Sequence, residues 1–328
     1  MKKYVSEFTQ HLRAALTIGE NTTLTSAATT ISNIVITGLG GSGIGGTIIS
    51  DLLKGISSIP IIVSKDYFLP EFVNKNTLVI VSSYSGDTEE TVNAFNIARE
   101  KNAMIVCITS GGKILATAVE KNIDYIKIPG GLPPRAALGY SFPQLLKVLS
   151  FHKIISWNYV EEIKSAISLM DSGEEEIKLQ AMVTAAKFFD KTPVLYSAPE
   201  FEGVTIRFRQ QINENAKMLT WHHVIPEMNH NELVGWTKPE PQFAVIFLRN
   251  ETDYSRTQQR MEIIKETIGK CTPHIFELFS KGNSLLERML YMIHLCDWIS
   301  VYLAEDRNVD PVEVNVITKL KSALAEKA

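Results

Sequence analysis

The chain is short of everything a disulfide scaffold needs. Its three cysteines, Cys107, Cys271 and Cys296, are odd in number and form no C-x-x-C pair. That spacing argues against structural disulfides and against a thiolate zinc site. No apolar run approaches the ~20 residues that cross a bilayer. Charge of one sign is not in excess, and a net −3 at pH 7 offers nucleic acid no basic field. The opening MKKYVSEFTQHLRAAL carries two lysines but no apolar stretch leading to a cleavage site. It reads as an amphipathic helix and not as a signal peptide. Low-complexity tracts and flexible linkers are also lacking. A cytoplasmic globular protein without membrane or nucleic-acid partners is expected.

What is present is an ordinary globular composition, 45% hydrophobic and 21% charged, in a chain of 328 residues. That length suggests about two domains. In the first half, apolar β-branched runs alternate with helical patterns. Strands are expected at Asn33–Gly38, Ile59–Ser64, Thr77–Ser82, Ala103–Thr109 and Asp124–Ile128. Helices are expected at Gly43–Leu53, Thr88–Lys101 and Ile114–Lys121. Continuous apolar strands separated by helices indicate an α/β fold with a parallel sheet covered on both faces. A mostly helical stretch, Ser141–Asp190, follows. The alternation then restarts with strands at Pro193–Ser197, Phe243–Leu248 and His274–Phe279, a helix at Gly203–Leu219 and a long helix at Ser284–Ala304. The restart suggests a divergent duplication, with domains at about 1–150 and 151–328.

Two loops about forty residues apart look built for phosphate. The first is Gly38-Leu39-Gly40-Gly41-Ser42-Gly43-Ile44-Gly45-Gly46. The second is Ser82-Ser83-Tyr84-Ser85-Gly86-Asp87-Thr88. Each follows a strand and precedes a helix, so backbone N–H groups at a helix N-terminus face an incoming anion. Glycine permits close approach, and the hydroxyls of Ser83, Ser85 and Thr88 can donate to phosphate oxygens. The first loop also fits G-x-G-x-x-G, with Asp66 where a ribose-binding acid belongs, so a dinucleotide site is an alternative. Against it, three converging hydroxyls suit a compact monophosphate. The bland reading of the second loop is a Ser/Thr helix cap.

Arg135 lies in the proline-stiffened loop GGLPPRAALGY, where a restricted backbone could aim a guanidinium at an anionic intermediate. A plain surface arginine is the alternative. In the helix RFRQQINENAKML, Phe208, Ile212, Ala216 and Leu219 form an apolar stripe, with Arg207, Gln210, Gln211, Glu214 and Lys217 opposite. That polar face is either solvated or turned to a cleft between domains, where Glu214 could act as a general base. His222, His223 and His230 match no common zinc spacing. His230, in PEMNHNELVGW, could shuttle protons near neutral pH or be an ordinary loop histidine. Lys321 is most simply a tail-helix lysine.

Together GLGGSGIGG, SSYSGDTEET, GLPPRAALGY, NENAK, PEMNHNELVGW and DPVEVNVITKLK resemble the bifunctional phosphoglucose/phosphomannose isomerases of the sugar isomerase (SIS) superfamily. The resemblance runs from about Asn33 to Lys321 with the motifs in order. It implies two SIS domains, each a mainly parallel, flavodoxin-like sheet between helices, and a homodimer. It places sugar phosphate on Ser42, Ser83, Ser85 and Thr88, with Gly41 supplying backbone. It makes Glu214 the base between C2 and C1, Arg135 the enediolate stabiliser, and His230, donated by the neighbouring subunit, the ring-opening group with Lys321 assisting. Asp87 stands where the family pattern usually has Asn, and is expected to turn away from phosphate and cap the helix.

The expected activity is interconversion of glucose 6-phosphate and mannose 6-phosphate with fructose 6-phosphate, with no metal and no cofactor. Glucose and mannose differ only at C2, which is planar in the enediolate, so one base could serve both. Two other functions stay open at this point: a non-catalytic SIS-domain sugar-phosphate sensor and an NAD-dependent oxidoreductase. A sensor would leave Glu214 and His230 unexplained.

Overall fold

The computed structural model describes residues 1–326. The helices are Lys2–Ser6 (α1), Phe8–Glu20 (α2), Gly40–Leu53 (α3), Glu89–Glu100 (α4), Gly112–Glu120 (α5), Leu138–Phe151 (α6), Tyr159–Ser172 (α7), Glu174–Ala186 (α8), Glu202–Ala216 (α9), Ser255–Ile268 (α10), Leu285–Asp306 (α11) and Asn315–Ala325 (α12). The strands are Asn33–Thr37 (β1), Ile61–Ser64 (β2), Thr77–Ser82 (β3), Met104–Thr109 (β4), Asp124–Lys127 (β5), Thr192–Ser197 (β6), Trp221–Val224 (β7), Phe243–Arg249 (β8) and Ile275–Phe279 (β9). They form two all-parallel sheets, ordered β2-β1-β3-β4-β5 and β7-β6-β8-β9.

Both sheets are sandwiched, as the apolar runs require. Strand residues alternate between two faces. Ile34, Ile36, Leu78 and Ile80 join one core with Leu195, Ile246 and Leu248 of the second sheet, filled in by α2, α3, α6, α9 and α11. Val35, Val79, Val81 and Cys107 face the other way, under Phe95 of α4 and Ile114 of α5. Val194, Tyr196, Val245 and Phe247 pack beneath Met261, Ile264 and Ile268 of α10. The helical layer between the sheets is therefore one continuous apolar body joining both halves. All three cysteines are free and buried. Among the described residues, no helix is long and apolar enough to cross a membrane.

Three sequence expectations need correction. The helix expected over 203–219 stops at Ala216, because Lys217 takes a left-handed conformation (φ 55°) that ends the ladder. Leu219, assigned to the apolar stripe, is consequently 87% exposed, while Phe208, Ile212 and Ala216 are fully buried. Trp221–Val224, for which no strand was expected, is an edge strand; its four residues are too few to show alternation. Ser255–Ile268, not predicted, is a helix whose buried positions Thr257, Met261, Ile264 and Ile268 follow helical spacing within a mostly polar sequence.

Candidate active site

The order β2-β1-β3 places consecutive connections on opposite sides of β1, creating a switch point beyond the C-terminal ends of β1 and β3. Open α/β sheets bind ligands in such crevices. Both serine-glycine loops lie there, on directly paired strands. They are tied to each other: Tyr84 N–H donates to Ser42 Oγ at 2.9 Å, and Ser82 Oγ donates to the Ser42 carbonyl at 3.1 Å. Tyr84 also reaches the third loop, its phenol oxygen accepting from Leu132 N–H at 2.8 Å. The sequence reading missed this residue, whose buried ring and three-way bonding hold the mouth together.

Within the second loop the hydroxyls are differently committed. Ser83 is buried, and its Oγ has no partner among the described residues. Ser85 is exposed and accepts weakly from Asp87 N–H at 3.3 Å. Thr88 occupies the N-cap position of α4 but makes no capping bond, so a structural cap does not account for its hydroxyl. Gly86 has φ 73°, and an added Cβ would lie 1.9 Å from the Gly111 carbonyl oxygen, so the turn requires glycine. Asp87 does cap a helix, but not the one that follows it. Its carboxylate accepts from Lys113 N–H at 2.9 Å, in the first turn of α5. The next strand's loop supplies that N-terminus, which no local pattern could reveal.

Arg135 is buried at 4% exposure within a 3-10 turn, Pro134–Ala136. It is not a surface arginine. Its guanidinium donates from Nε to Asn215 Oδ1 at 2.8 Å, from Nη1 to Glu214 Oε2 at 3.2 Å, and from Nη2 to the Pro311 carbonyl at 2.5 Å. Burial draws the guanidinium pKa down, and the neighbouring Glu214 carboxylate opposes that. Arg135 and Glu214 thus come from different halves of the chain and meet at the interface between the two sheets' helices. The polar face of α9 is turned inward, as a cleft would need, with Arg207, Gln211 and Asn215 all buried. Lys217, just past the helix end, donates to the Glu214 carbonyl at 2.6 Å and the Glu313 carbonyl at 2.7 Å. That clamps the tail segment beside Glu214.

The remaining assigned residues make no bond to these groups among the described residues. His230 ends the 3-10 turn Glu227–His230 and is exposed. Lys321 lies exposed on α12, as does Lys319. Neither His230 nor Lys321 bonds to Arg135, Glu214 or the serine loops among the described residues. His222 is half-buried against Arg209 Nη1 at 3.2 Å, and burial followed by the Arg209 charge lowers its pKa to about 4. Among the described residues, no three His, Cys, Asp or Glu side chains converge on one point. Asp66 is exposed, with its carboxylate turned to its neighbour's amide, Tyr67 N–H, at 2.6 Å.

A pair of parallel sheets, with hydroxyl-lined loops at one switch point and a buried arginine paired to a half-buried carboxylate between the halves, defines a tandem SIS-domain protein. Residues 29–129 match the SIS domain model, and residues 177–324 match the bacterial phospho-glucose isomerase C-terminal SIS domain. The chain is 38% identical to a bifunctional phosphoglucose/phosphomannose isomerase of Caldicellulosiruptor bescii, covering 99% of each. It is 36% identical to the protein of the same name from Aquifex aeolicus, covering 92% of each. Its fold superposes on the C-terminal domain of glucosamine-fructose-6-phosphate aminotransferase from Francisella tularensis with a TM-score of 0.76, at 13% identity, over 94% of this chain and 96% of that one. The chain belongs to the bifunctional phosphoglucose/phosphomannose isomerase family.

Proposed function

We propose that this chain interconverts glucose 6-phosphate and mannose 6-phosphate with fructose 6-phosphate through an enediolate. The observation that carries the proposal is the Arg135–Glu214 pair, at 3.2 Å, at the same crevice as the paired serine loops. A phosphate bound by Ser42, Ser83, Ser85, Thr88 and the Gly41 backbone anchors one end of the sugar. Glu214 then takes the C2 proton and returns it at C1. Arg135 offsets the charge that develops on the enediolate oxygens. The uncommitted hydroxyls of Ser83 and Thr88 support the phosphate assignment.

Ring opening is assigned to His230, with Lys321 assisting. Within one chain His230 is exposed and makes no bond to Glu214 among the described residues, which supports its donation to a neighbouring subunit in a homodimer. Residues 1–150 would then bind phosphate and supply Arg135, while 151–328 would supply Glu214, His230 and Lys321. In keeping with a small charged substrate, the cytoplasm is the expected location.

The test is fructose 6-phosphate in D2O with EDTA, followed by NMR. Glucose 6-phosphate and mannose 6-phosphate carrying deuterium at C2 are expected. Glucose 6-phosphate alone would restrict the reaction to one aldose. Absence of both product and exchange, from folded dimer, would overturn the proposal in favour of a sugar-phosphate sensor.

A further inference from the structure

Helix α9 carries a buried polar row that the reaction chemistry above does not use. Arg207, Gln211 and Asn215 recur at every fourth residue and are 3%, 2% and 0% exposed. Across from them on α11 are Asp297 and Ser300, also buried. Polar groups cost free energy when buried unless they are paired, and here the pairing has a direction.

Two arms leave Asp297. In the first, its carboxylate accepts from Arg207 Nη2 at 2.5 Å and from Gln211 Nε2 at 2.9 Å. Arg207 Nη2 also donates to the Arg135 main-chain carbonyl at 3.0 Å. In the second, the Asp297 main-chain carbonyl accepts the Ser300 hydroxyl proton at 2.7 Å. A hydroxyl has one proton, so Ser300 Oγ can only accept from Asn215, and Asn215 Nδ2 lies 2.9 Å away. That decides which way the amide faces: its Oδ1 is turned to Arg135 and accepts from Nε at 2.8 Å. One aspartate thus anchors both the backbone and the side chain of Arg135.

We propose that Asn215, oriented by Ser300 and Asp297, is a positioning residue that sets the plane of the Arg135 guanidinium toward the enediolate. The inference rests on the isomerase reading of the site. Donors stabilise a developing anion most when they are already aimed, so that no reorganisation accompanies the reaction. A planar guanidinium held at Nε presents its Nη groups in one plane only. Without the Ser300 hydroxyl the Asn215 amide can flip and bring its N–H groups against the guanidinium, tilting it.

The experiment compares Ser300→Ala and Asn215→Ala with wild type. Ser300 hydrogen-bonds to Asn215 and not to Arg135, so its effect on the guanidinium is expected to travel through the amide. Isomerisation kcat is expected to fall roughly tenfold in Ser300→Ala and on the order of 100-fold in Asn215→Ala, with KM for fructose 6-phosphate within about twofold. Two ligands separate positioning from a general packing defect. A phosphorylated aldonohydroxamate, planar and anionic like the enediolate, should lose affinity by the same factor as kcat/KM. Glucitol 6-phosphate, tetrahedral at C1 and C2, should bind unchanged. Equal weakening of both ligands, or a wild-type kcat in Ser300→Ala, would overturn the positioning role alone. Absence of turnover by the wild-type chain would overturn the isomerase reading, and this inference with it. Should Asn215→Ala fail to fold, Ser300→Ala and the two ligands carry the test.

Discussion

Gly41 and Arg135 are backbone neighbours: a β-carbon added at Gly41 would lie 2.7 Å from the Arg135 amide nitrogen and 2.8 Å from the Pro134 carbonyl carbon. The first glycine-rich loop and the arginine loop are thus pressed together with no room for a side chain. The obstacle is main chain, the Pro134–Arg135 backbone, so a rotamer change cannot relieve it. Closeness of Gly41 and Arg135 is thereby built into the fold.

Gly41→Ala should accordingly damage both stability and reaction. Overpacking here is expected to cost about 1–3 kcal/mol. The displaced Arg135 backbone should lower kcat/KM roughly tenfold or more. Urea unfolding with initial-rate kinetics checks both, and wild-type behaviour in either would show that the two loops can separate.

Ser83→Ala should show the opposite balance. The Ser83 hydroxyl is buried without a partner among the described residues, so its removal forfeits no intramolecular hydrogen bond and stability should stay within about 0.5 kcal/mol. If the hydroxyl binds phosphate, KM for fructose 6-phosphate should rise about tenfold, the worth of one bond to a charged group, with kcat nearly unchanged. A large loss of stability with KM unaffected would make Ser83 a structural residue.

Glu214→Gln and His230→Ala should each nearly abolish isomerisation, by on the order of 100-fold or more, while leaving the protein folded. If His230 serves the partner's site, mixing the two variants under subunit exchange should recover about one quarter of wild-type activity. Half of the dimers would then be hybrids, each with one intact site. No recovery, with exchange verified by mass, would place His230 and Glu214 in the same subunit's site.

Asp51 supplies a pH test of how the halves pack. Its Oδ2 accepts from Gly203 N–H, at the start of α9, at 2.6 Å. Burial raises the carboxyl from 3.8 to about 7 against the pull of that bond, and the Glu202 charge adds to the rise. Between about pH 4 and 7 the native state therefore holds a proton that the unfolded chain has released, and stability falls as pH rises. Asp51→Asn keeps an acceptor for Gly203 and removes the buried charge. At pH 8 it should stabilise by on the order of 1–2 kcal/mol, and by little at pH 4.5. An equal gain at both pH values would dismiss titration as the cause.

Some of the site was written in local pattern. The loops after β1 and β3 could be read because glycine and hydroxyl residues at a strand-to-helix turn have a local physical meaning. The start of α9 and its apolar face were legible for the same reason. The end of α9 was not, since Lys217 adopts the left-handed conformation without a glycine to announce it. Nor was α10, whose few apolar positions acquire meaning only against the second sheet. Asp87 was recognised as a cap, yet the helix it caps is brought to it by sheet order.

By itself, then, the sequence determined the two α/β halves and the paired glycine- and hydroxyl-rich loops after β1 and β3. These follow from hydrophobic period and turn chemistry, which act over a few residues. Tertiary structure alone decided that Arg135 meets Glu214 across 79 positions, that Tyr84 joins three loops, and that the row Arg207, Gln211 and Asn215 is buried against Asp297 and Ser300. A helix face that looks solvated in sequence becomes interior when a second helix supplies partners for its polar groups, and nothing in the spacing of α9 says that α11 will do so.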